Sequence, residues 1–291
     1  MRKRADAFDW INSALLLFVS FLCVFPFLYI LAVSLSDGTY VAAGKVLFYP
    51  KGIHLEAYKY IFSNSRLNVL QGLRNSFLYA GFGTLFAVTL TYITAYALSK
   101  RQVRGRYLIM MLFLSAWIFE AGIIPNYLVW SSVGMVNSFW VMIVPSSITT
   151  FLLIITRSFI ETLPMELEES AVIDGANDYQ VMSRIFMPLS KPVIATIAVF
   201  YAVAIWNQFL IPLIYLQDKA LYPIQLVLYG LIIQPDPTTT NLENAVRNGH
   251  LLLPRNLQAA AIFTAVLPIL FIYPIAQKYF TKGFMIGAIK G

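Results

Sequence analysis

The sequence has few charged residues, two histidines and one cysteine, and each shortage argues against a class of protein. Charged residues make up 12% of the chain, about half of the roughly 25% found in soluble globular proteins, whereas hydrophobic residues make up 59%. A soluble fold of 291 residues could not cover its surface with so few charges, which argues against an aqueous enzyme domain. Because Cys23 is the only cysteine, a disulfide framework and a cysteine-rich metal site are excluded. His54 and His250 are too few for a histidine-based metal centre.

The apolar residues form six runs that are long enough to cross a bilayer as helices. A hydrocarbon core of about 30 Å requires about 20 consecutive apolar residues. The runs lie at residues 11–35, 71–99, 106–132, 137–160, 191–217 and 257–280. The first run is too long for the apolar region of a signal peptide, so we interpret it as a retained membrane helix kinked at Pro26. The sequence therefore predicts an all-α integral membrane protein, with one six-helix transmembrane domain over residues 1–291.

The basic residues orient these helices. Cytoplasmic loops carry an excess of Lys and Arg, and the short turn from Lys100 to Arg106 holds four of them. This predicts both termini in the cytoplasm, external loops at 36–70 and 218–256, and a tight external turn near 133–137. The net charge of +7 then reflects orientation in the lipid bilayer, and no nucleic-acid partner is expected.

One long cytoplasmic segment remains, residues 161–190, and acidic residues outnumber basic ones in it. The pattern predicts a first helix capped by Thr162 and ended by Gly175, which permits a left-handed turn. A second helix is predicted from Tyr179 to Phe186, with Asp178 as its cap and Pro188 closing it. An acidic segment has the wrong sign for anionic headgroups. A docking surface for a cytoplasmic protein is therefore favoured over the alternative, a connector resting on the lipid headgroups.

This segment resembles the EAA loop of the membrane subunits of ABC importers. The matching residues are Glu169-Ser170-Ala171, then Gly175, then Ile185 to Pro188, at the spacing of the family's pattern. Ser170 and Met187 depart from that pattern by small changes in volume. Three further stretches resemble the carbohydrate-type branch and the second permease of maltose-type importers: Asn75–Phe77, Ala95–Lys100 and Gly283–Gly291. Two others resemble a sub-branch that handles complex or polygalacturonan-like oligosaccharides: Gly122–Pro125 and Leu267–Phe280.

The resemblance implies a multi-pass protein of the bacterial inner membrane with the type I importer fold, a cytoplasmic coupling helix and transport by alternating access. The implied partners are a second homologous permease, two cytoplasmic ATP-binding subunits and an extracellular or periplasmic solute-binding protein, with an oligosaccharide as substrate. The residues implied to dock on the ATPase are Glu169, Ser170, Ala171, Asp174, Gly175, Ile185 and Pro188. At Gly175 a Cβ atom would obstruct the bend. The chain lacks a Walker A loop, so ATP and Mg²⁺ are expected on the partner ATPase, with no cofactor on this chain and no enzymatic activity of its own.

Polar residues inside the apolar runs are candidates for the substrate path, because they are costly at membrane depth unless they face a cavity or a partner. They are Asn75, Tyr79, Glu120, Tyr201, Trp206, Asn207 and Gln208. The alternative for most of them is hydrogen bonding between helices. For Glu120 the alternatives are a gate or a structural pair with a cation such as Arg74, and the residues 121–126 after it are expected to break the helix into a re-entrant bend.

Two other functions compete with the importer. A channel or secondary carrier working alone would usually keep several charges inside the membrane, and Glu120 is the only acid within a run. A membrane-embedded enzyme would need convergent His, Asp or Glu groups inside the runs. Both histidines lie in the predicted external loops, which argues against the enzyme.

Overall fold

The structure is a computed structural model that describes residues 7–233, 246–247 and 250–287. The tail Gly283–Gly291 resembles the carbohydrate-type branch, and its last four residues lie outside the described residues. Helices dominate the described chain. In chain order they are α1 (Ala7–Ser34), α2 (Gly38–Ala42), α3 (Glu56–Ser63), α4 (Val69–Ser99), α5 (Arg106–Ile118), α6 (Ile123–Ser132), α7 (Thr150–Ile160), α8 (Glu166–Ile173), α9 (Asp178–Gln180), α10 (Met187–Leu189), α11 (Lys191–Trp206), α12 (Leu210–Tyr215), α13 (Ile224–Ile233) and α14 (Pro254–Gly287).

Shorter elements connect these helices. Three 3₁₀ turns lie at Ser65–Leu67, Phe139–Met142 and Lys219–Leu221. A π-helix, Val181–Phe186, joins α9 to α10. The strands β1 (Val246–Arg247) and β2 (His250–Leu251) pair antiparallel.

Three of the six predicted membrane runs form continuous helices. Within the described residues, the segments long and apolar enough to cross a bilayer are Phe8–Ser34 in α1, Val69–Ser99 in α4 and Pro254–Pro274 in α14. If each of two bent helix pairs counts as one span, the number rises to five. The predominantly helical architecture is thus confirmed, with β1 and β2 as the strands among the described residues, while the count of six spans stays a prediction.

The run 106–132 breaks where the sequence predicts. The helices α5 and α6 meet at 120° across residues 119–122. Gly122 has φ +80°, a conformation that a glycine adopts without steric cost. Pro125 lies in the first turn of α6, where its missing N–H would have no intrahelical partner.

The runs 137–160 and 191–217 are not continuous helices, and prolines explain both breaks. In the first run, α7 begins only at Thr150, and Pro145 contributes to the break before it by disfavouring helical backbone in Val144. In the second, the helix stops at Trp206 and resumes at Leu210. Pro212 has no N–H to donate to the carbonyl four residues earlier, which weakens any helix through the break.

A further apolar helix lies inside the loop predicted to be external and aqueous, residues 218–256. This helix is α13, which spans ten residues. The turn near 133–137 is confirmed, since Gly134 and Asn137 both have positive φ, +71° and +57°.

The described residues fall into two compact units. One comprises the residues up to Leu70 together with Val227–Pro268. Its core includes Ala32, Val33 and Ala259, and the buried Asn256 amide donates to the carbonyl of Val33 at 2.9 Å. The other unit, Gln71–Leu226 with the chain from Ile269 onward, contains every candidate site residue. Whether the chain acts as one domain stays a prediction.

Candidate functional site

The centre of the predicted docking segment is a helix end closed by Gly175. Helix α8 runs from Glu166 to Ile173. Gly175 follows with φ +84°, and its N–H donates to the Val172 carbonyl at 3.0 Å. The next N–H, of Ala176, donates to the Ala171 carbonyl at 2.9 Å. These two bonds form a Schellman motif, which satisfies the last carbonyls of the helix and fixes the direction in which the chain leaves it.

The predicted caps of the two helices in this segment were wrong. Helix α8 has no side-chain cap, because Thr162 belongs to the preceding turn, where its hydroxyl donates to the Phe159 carbonyl at 2.7 Å. The second helix is capped by Asn177 and not by Asp178. Asn177 and Gln180 exchange side-chain and backbone hydrogen bonds at 2.9 and 3.0 Å, which is a capping box.

Pro188 does not close the second helix, although the sequence predicts it. The helix continues from α9 through the π-helix into α10, and Ser190 ends it with an N–H bond of 2.8 Å to the Phe186 carbonyl. Pro188 is tolerated because it lies at the start of α10, where the wider turn of the preceding π-helix has already changed the hydrogen-bond pattern. An 80° bend then leads into α11.

One face of the docking segment is attached to the membrane helices. Ala171, Val181 and Phe186 are buried in a core with Tyr92 and Tyr96 of α4. Ile185 packs against the same core. Packed side chains therefore connect this segment directly to α4.

The opposite face of the segment is exposed. Glu169, Ser170, Asp174 and Gly175 lie on it, as does Pro188. Ile173 is 85% exposed and Tyr179 71%. Large apolar side chains exposed beside acidic residues are typical of a protein interaction surface.

An ion pair ties the segment to the end of α4. The Lys100 ammonium contacts the Glu168 carboxylate, and both side chains are largely buried, at 13% and 15% exposure. The same ammonium lies 4.3 Å from the centre of the Tyr96 ring and 4.4 Å from that of Phe186. Cation–π attraction adds to the ion pair in such an arrangement. Sequence reasoning missed this role of Lys100, which it used for orientation and as the end of a stretch that resembles the carbohydrate-type branch.

Two of the predicted substrate-path residues hold in place a loop that the sequence predicts to be external. The Asn75 amide donates to the carbonyls of Ala220 at 2.7 Å and Tyr222 at 3.0 Å. The Tyr79 hydroxyl donates to the Leu221 carbonyl at 2.8 Å. Both side chains are buried. In this conformation their polar atoms are therefore occupied by the loop.

Two residues that were not candidates complete this arrangement. The Ser76 hydroxyl accepts from the N–H of Ile224 at 2.8 Å. Asn137 accepts from the N–H groups of Gln217 and Asp218, both at 2.9 Å. Asn137 has φ +57°, and asparagine is enriched in that left-handed region. An isolated asparagine in a predicted turn was the available signal for a functional residue at position 137. The sequence could not identify its hydrogen-bond partner Gln217, which lies 80 residues along the chain.

Replacing Asn75 with alanine is expected to loosen the loop 219–222. The variant loses two hydrogen bonds to loop carbonyls, each contributing about 1 kcal/mol, so amide hydrogen exchange there should accelerate by about tenfold or more. Hydrogen exchange with mass spectrometry of the purified chain measures this. The matched control is Asn64→Ala, whose side chain bonds only the nearby Arg66 N–H. A variant with unchanged exchange but weakened sugar affinity would instead assign Asn75 to the substrate.

The side chains of Tyr201 and Trp206 are also buried against neighbouring residues. The Tyr201 hydroxyl bonds the Thr91 hydroxyl at 2.7 Å and accepts the Thr149 N–H at 3.0 Å. It thereby caps the start of α7 from a position in α11. Trp206 is 3% exposed, and its ring meets the Phe77 ring edge-on at 5.0 Å.

The remaining candidates lie at breaks in the helices. Asn207 is exposed at the end of α11. The Gln208 amide nitrogen donates to the Ser146 hydroxyl at 2.9 Å, while its buried carbonyl oxygen has no hydrogen-bond partner among the described residues. Glu120 is exposed in the break between α5 and α6, and it forms no ion pair with Arg74 or any other described residue. The structure does not bring Glu120 together with the other candidates.

Metal-ligating groups do not cluster in the described part of the chain. No group of three or more His, Cys, Asp or Glu residues there could hold a metal ion.

Known proteins match the chain over almost its whole length. The family model described as "Binding-protein-dependent transport system inner membrane component" matches residues 5–285. Protein LplC of Bacillus subtilis (strain 168) is 42% identical over 292 residues, 99% of this chain and 97% of the relative. The polygalacturonan/rhamnogalacturonan transport system permease protein YtcP of the same organism is 36% identical over 284 residues, 98% of each chain.

A solved structure has the same fold. One chain of a bacterial ABC transporter involved in the import of the acidic polysaccharide alginate superimposes with a TM-score of 0.88 at 28% identity. The match covers 96% of this chain and 99% of that chain.

Proposed function

The chain belongs to the family of inner membrane components of binding-protein-dependent transport systems, and we propose that it forms one half of the sugar pathway of its importer. It is a permease and not itself an enzyme. The observation that carries the coupling role is the exposed turn Glu169–Gly175. That turn is anchored through Ala171 and Phe186 to the membrane helices, so a force applied to it reaches the bundle.

The proposed substrate is an oligosaccharide that contains uronic acids. Two similar proteins support this: YtcP is named for polygalacturonan and rhamnogalacturonan, and the similar structure belongs to an alginate importer. Both kinds of polymer contain sugars with carboxylate groups. An external or periplasmic solute-binding protein delivers the oligosaccharide to this permease.

The proposed importer contains further subunits, and this chain has a defined topology in it. The chain pairs with a second homologous permease, and two cytoplasmic ATP-binding subunits hold ATP and Mg²⁺. Six spans place both termini and residues 161–190 in the cytoplasm. The shorter apolar helix Thr150–Ile160 contributes to the fourth of these spans. Closure of the ATPase pair then moves the docking turn, and the bundle opens outward to receive the sugar.

In this proposal, some residues support the wall of the substrate path and others contact the sugar. Asn75, Tyr79, Tyr201 and Trp206 support its wall, because their side chains are buried in packing and hydrogen bonds. Gln208 is the leading contact, since its unpaired carbonyl oxygen could accept a sugar hydroxyl. Asn207 beside it is a second contact. Glu120 serves the external gate.

Reconstitution tests this function. The chain, its companion permease, the ATPase and the binding protein are assembled in proteoliposomes, and uptake of labelled oligogalacturonides is measured. We expect uptake only when ATP and the binding protein are both present. Neutral maltooligosaccharides serve as the matched substrate control. Uptake by this chain alone would overturn the importer and favour a stand-alone channel or carrier, whereas uptake of the neutral sugar alone would overturn only the proposed substrate class.

A further inference from the structure

A basic cavity lies between the turn that follows α4 and the start of the docking segment. Its volume is about 330 Å³. Four cations line it, Lys100, Arg101, Arg106 and Arg157, together with the carboxylates of Glu161 and Glu168.

Two of the four cations are neutralised inside the cavity wall. Lys100 contacts Glu168, and the Arg157 guanidinium lies 2.9 Å from the Glu161 carboxylate. Arg101 and Arg106 have no acidic partner among the described residues. The cavity therefore retains an excess of positive charge that suits an anion.

Arg106 is held in place without a counter-ion. Its guanidinium donates to the Tyr107 hydroxyl at 2.7 Å and stacks 4.6 Å from the centre of that ring. A second nitrogen reaches the Ser99 carbonyl at 3.4 Å. These contacts are all neutral, so the charge of Arg106 is oriented but not compensated. An oriented guanidinium is suited to binding phosphate oxygens.

An exposed apolar surface begins beside the cavity. Helix α5 starts at Arg106, and Tyr107, Leu108 and Met111 are each at least 63% exposed. A small soluble anion would leave this surface unused. A ligand with an acidic headgroup and acyl chains would use both the cationic cavity and the apolar helix.

We propose that this cavity binds the headgroup of an anionic phospholipid of the cytoplasmic leaflet. Arg101 and Arg106 bind its phosphate oxygens, and its acyl chains lie along Tyr107, Leu108 and Met111. Basic pockets beside membrane helices on the cytoplasmic side are known to bind such headgroups. The inference rests on the cytoplasmic orientation proposed above for the turn 100–106, but not on the identity of the transported sugar.

Lipid retention tests the proposal. The importer complex is exchanged into nanodiscs of phosphatidylcholine and phosphatidylglycerol, and native mass spectrometry counts the lipids that remain bound. We expect phosphatidylglycerol to be enriched about tenfold over its bulk ratio in the wild type. The double variant R101Q/R106Q should fall to the bulk ratio. The control R104Q/R184Q removes two exposed cations that do not line the cavity, and it should keep the enrichment.

Three other outcomes would contradict the proposal that the cavity binds a lipid headgroup. Equal enrichment in R101Q/R106Q and the wild type would overturn the site. Displacement of the lipid by millimolar inorganic phosphate would assign the cavity to a soluble anion. If enrichment appears in the full-length chain alone but is lost when the ATPase binds, the cavity is an ATPase contact. Retention is measured without transport, so a failure of sugar uptake would leave this result standing.

Discussion

The variant Gly175→Val is expected to reduce ATP-driven sugar uptake by at least about tenfold. Gly175 has φ +84°, and a side chain with a Cβ costs roughly 1–2 kcal/mol in the left-handed region. A branched side chain such as valine is a marked outlier there. Among the described residues, apart from Gly175 and its two chain neighbours, no heavy atom lies within 4 Å of the position that a Cβ would occupy. The cost therefore arises in the backbone and not from collision with a neighbouring element.

The expected consequence is a displaced docking turn. Relief of the strain requires a negative φ, which displaces the chain after Gly175 and breaks the hydrogen bond from the Ala176 N–H to the Ala171 carbonyl. The acidic helix α8 would then leave the position from which it is proposed to meet the ATPase. Uptake into proteoliposomes and copurification of the ATPase with the permease measure the two effects.

Two variants separate this mechanism from general destabilisation. Asparagine tolerates the left-handed region, so Gly175→Asn should retain most of the uptake. Gly134 has φ +71° and equally open surroundings, but it lies in the predicted external turn. Gly134→Val introduces the same local strain and should leave ATPase binding unchanged. Wild-type uptake by Gly175→Val would show that the left-handed turn has no role in coupling.

The left-handed turn at Gly175 could be predicted because its cause is local. A glycine after an apolar helical stretch ends a helix through its own backbone freedom. The break before Pro125 was predictable for the same reason, since the glycine and the proline act on adjacent residues. Both features appear in the structure at the expected residues.

Features that depend on distant residues could not be predicted. Asn75 and Tyr79 were identified as unusual polar residues in an apolar run, but their partners lie more than 140 residues along the chain. Polarity alone cannot distinguish a residue that holds a loop from one that binds sugar.

The wrong cap of the second helix has a local cause. Asp178 and Asn177 are both good N-cap residues. Gln180 favours Asn177, because it stands at the third helical position that completes a capping box.

Composition also exaggerated the length of two helices. The runs 137–160 and 191–217 are predominantly apolar, and mean hydropathy does not register a lost backbone donor. The breaks at 143–149 and 207–209 place Ser146 and Gln208 together, joined by a bond of 2.9 Å. Gln208 of this pair is one of the predicted substrate-path residues. Its position was thus indicated by the sequence, although its contact with Ser146 was not.

The variant Lys100→Met is expected to abolish uptake. Lys100 is the only cation that contacts an acidic residue of α8 within the described chain. Its loss leaves the Glu168 carboxylate, 15% exposed, without a counter-ion. Removing one partner of a fully buried pair costs roughly 3–5 kcal/mol, and this pair, which retains some exposure, should lose less. The expected result is a weakened attachment of α8 to α4.

A second variant distinguishes stability from transmission of force. In the double variant K100M/E168Q neither charge is left unpaired, and the methionine can still pack between the rings of Tyr96 and Phe186. Replacing a buried pair by uncharged groups is often neutral for stability. The double variant should therefore recover the thermal stability and the assembly of the complex. If the ion pair transmits the motion of the docking turn, uptake remains low even in the assembled complex.

Lys100→Arg provides the complementary test, because it keeps the charge and the stacking on the two rings. We expect it to preserve ATPase stimulation by the loaded binding protein, which Lys100→Met should lose. The pair Arg157–Glu161 offers a matched control, since it joins residues four apart within one helical turn and cannot link two elements. R157M/E161Q should leave both uptake and stimulation near the wild type. If K100M/E168Q also transports at the wild-type rate, the packed side chains Ala171, Val181 and Phe186 are sufficient to move α4, and the ion pair only stabilises the folded segment.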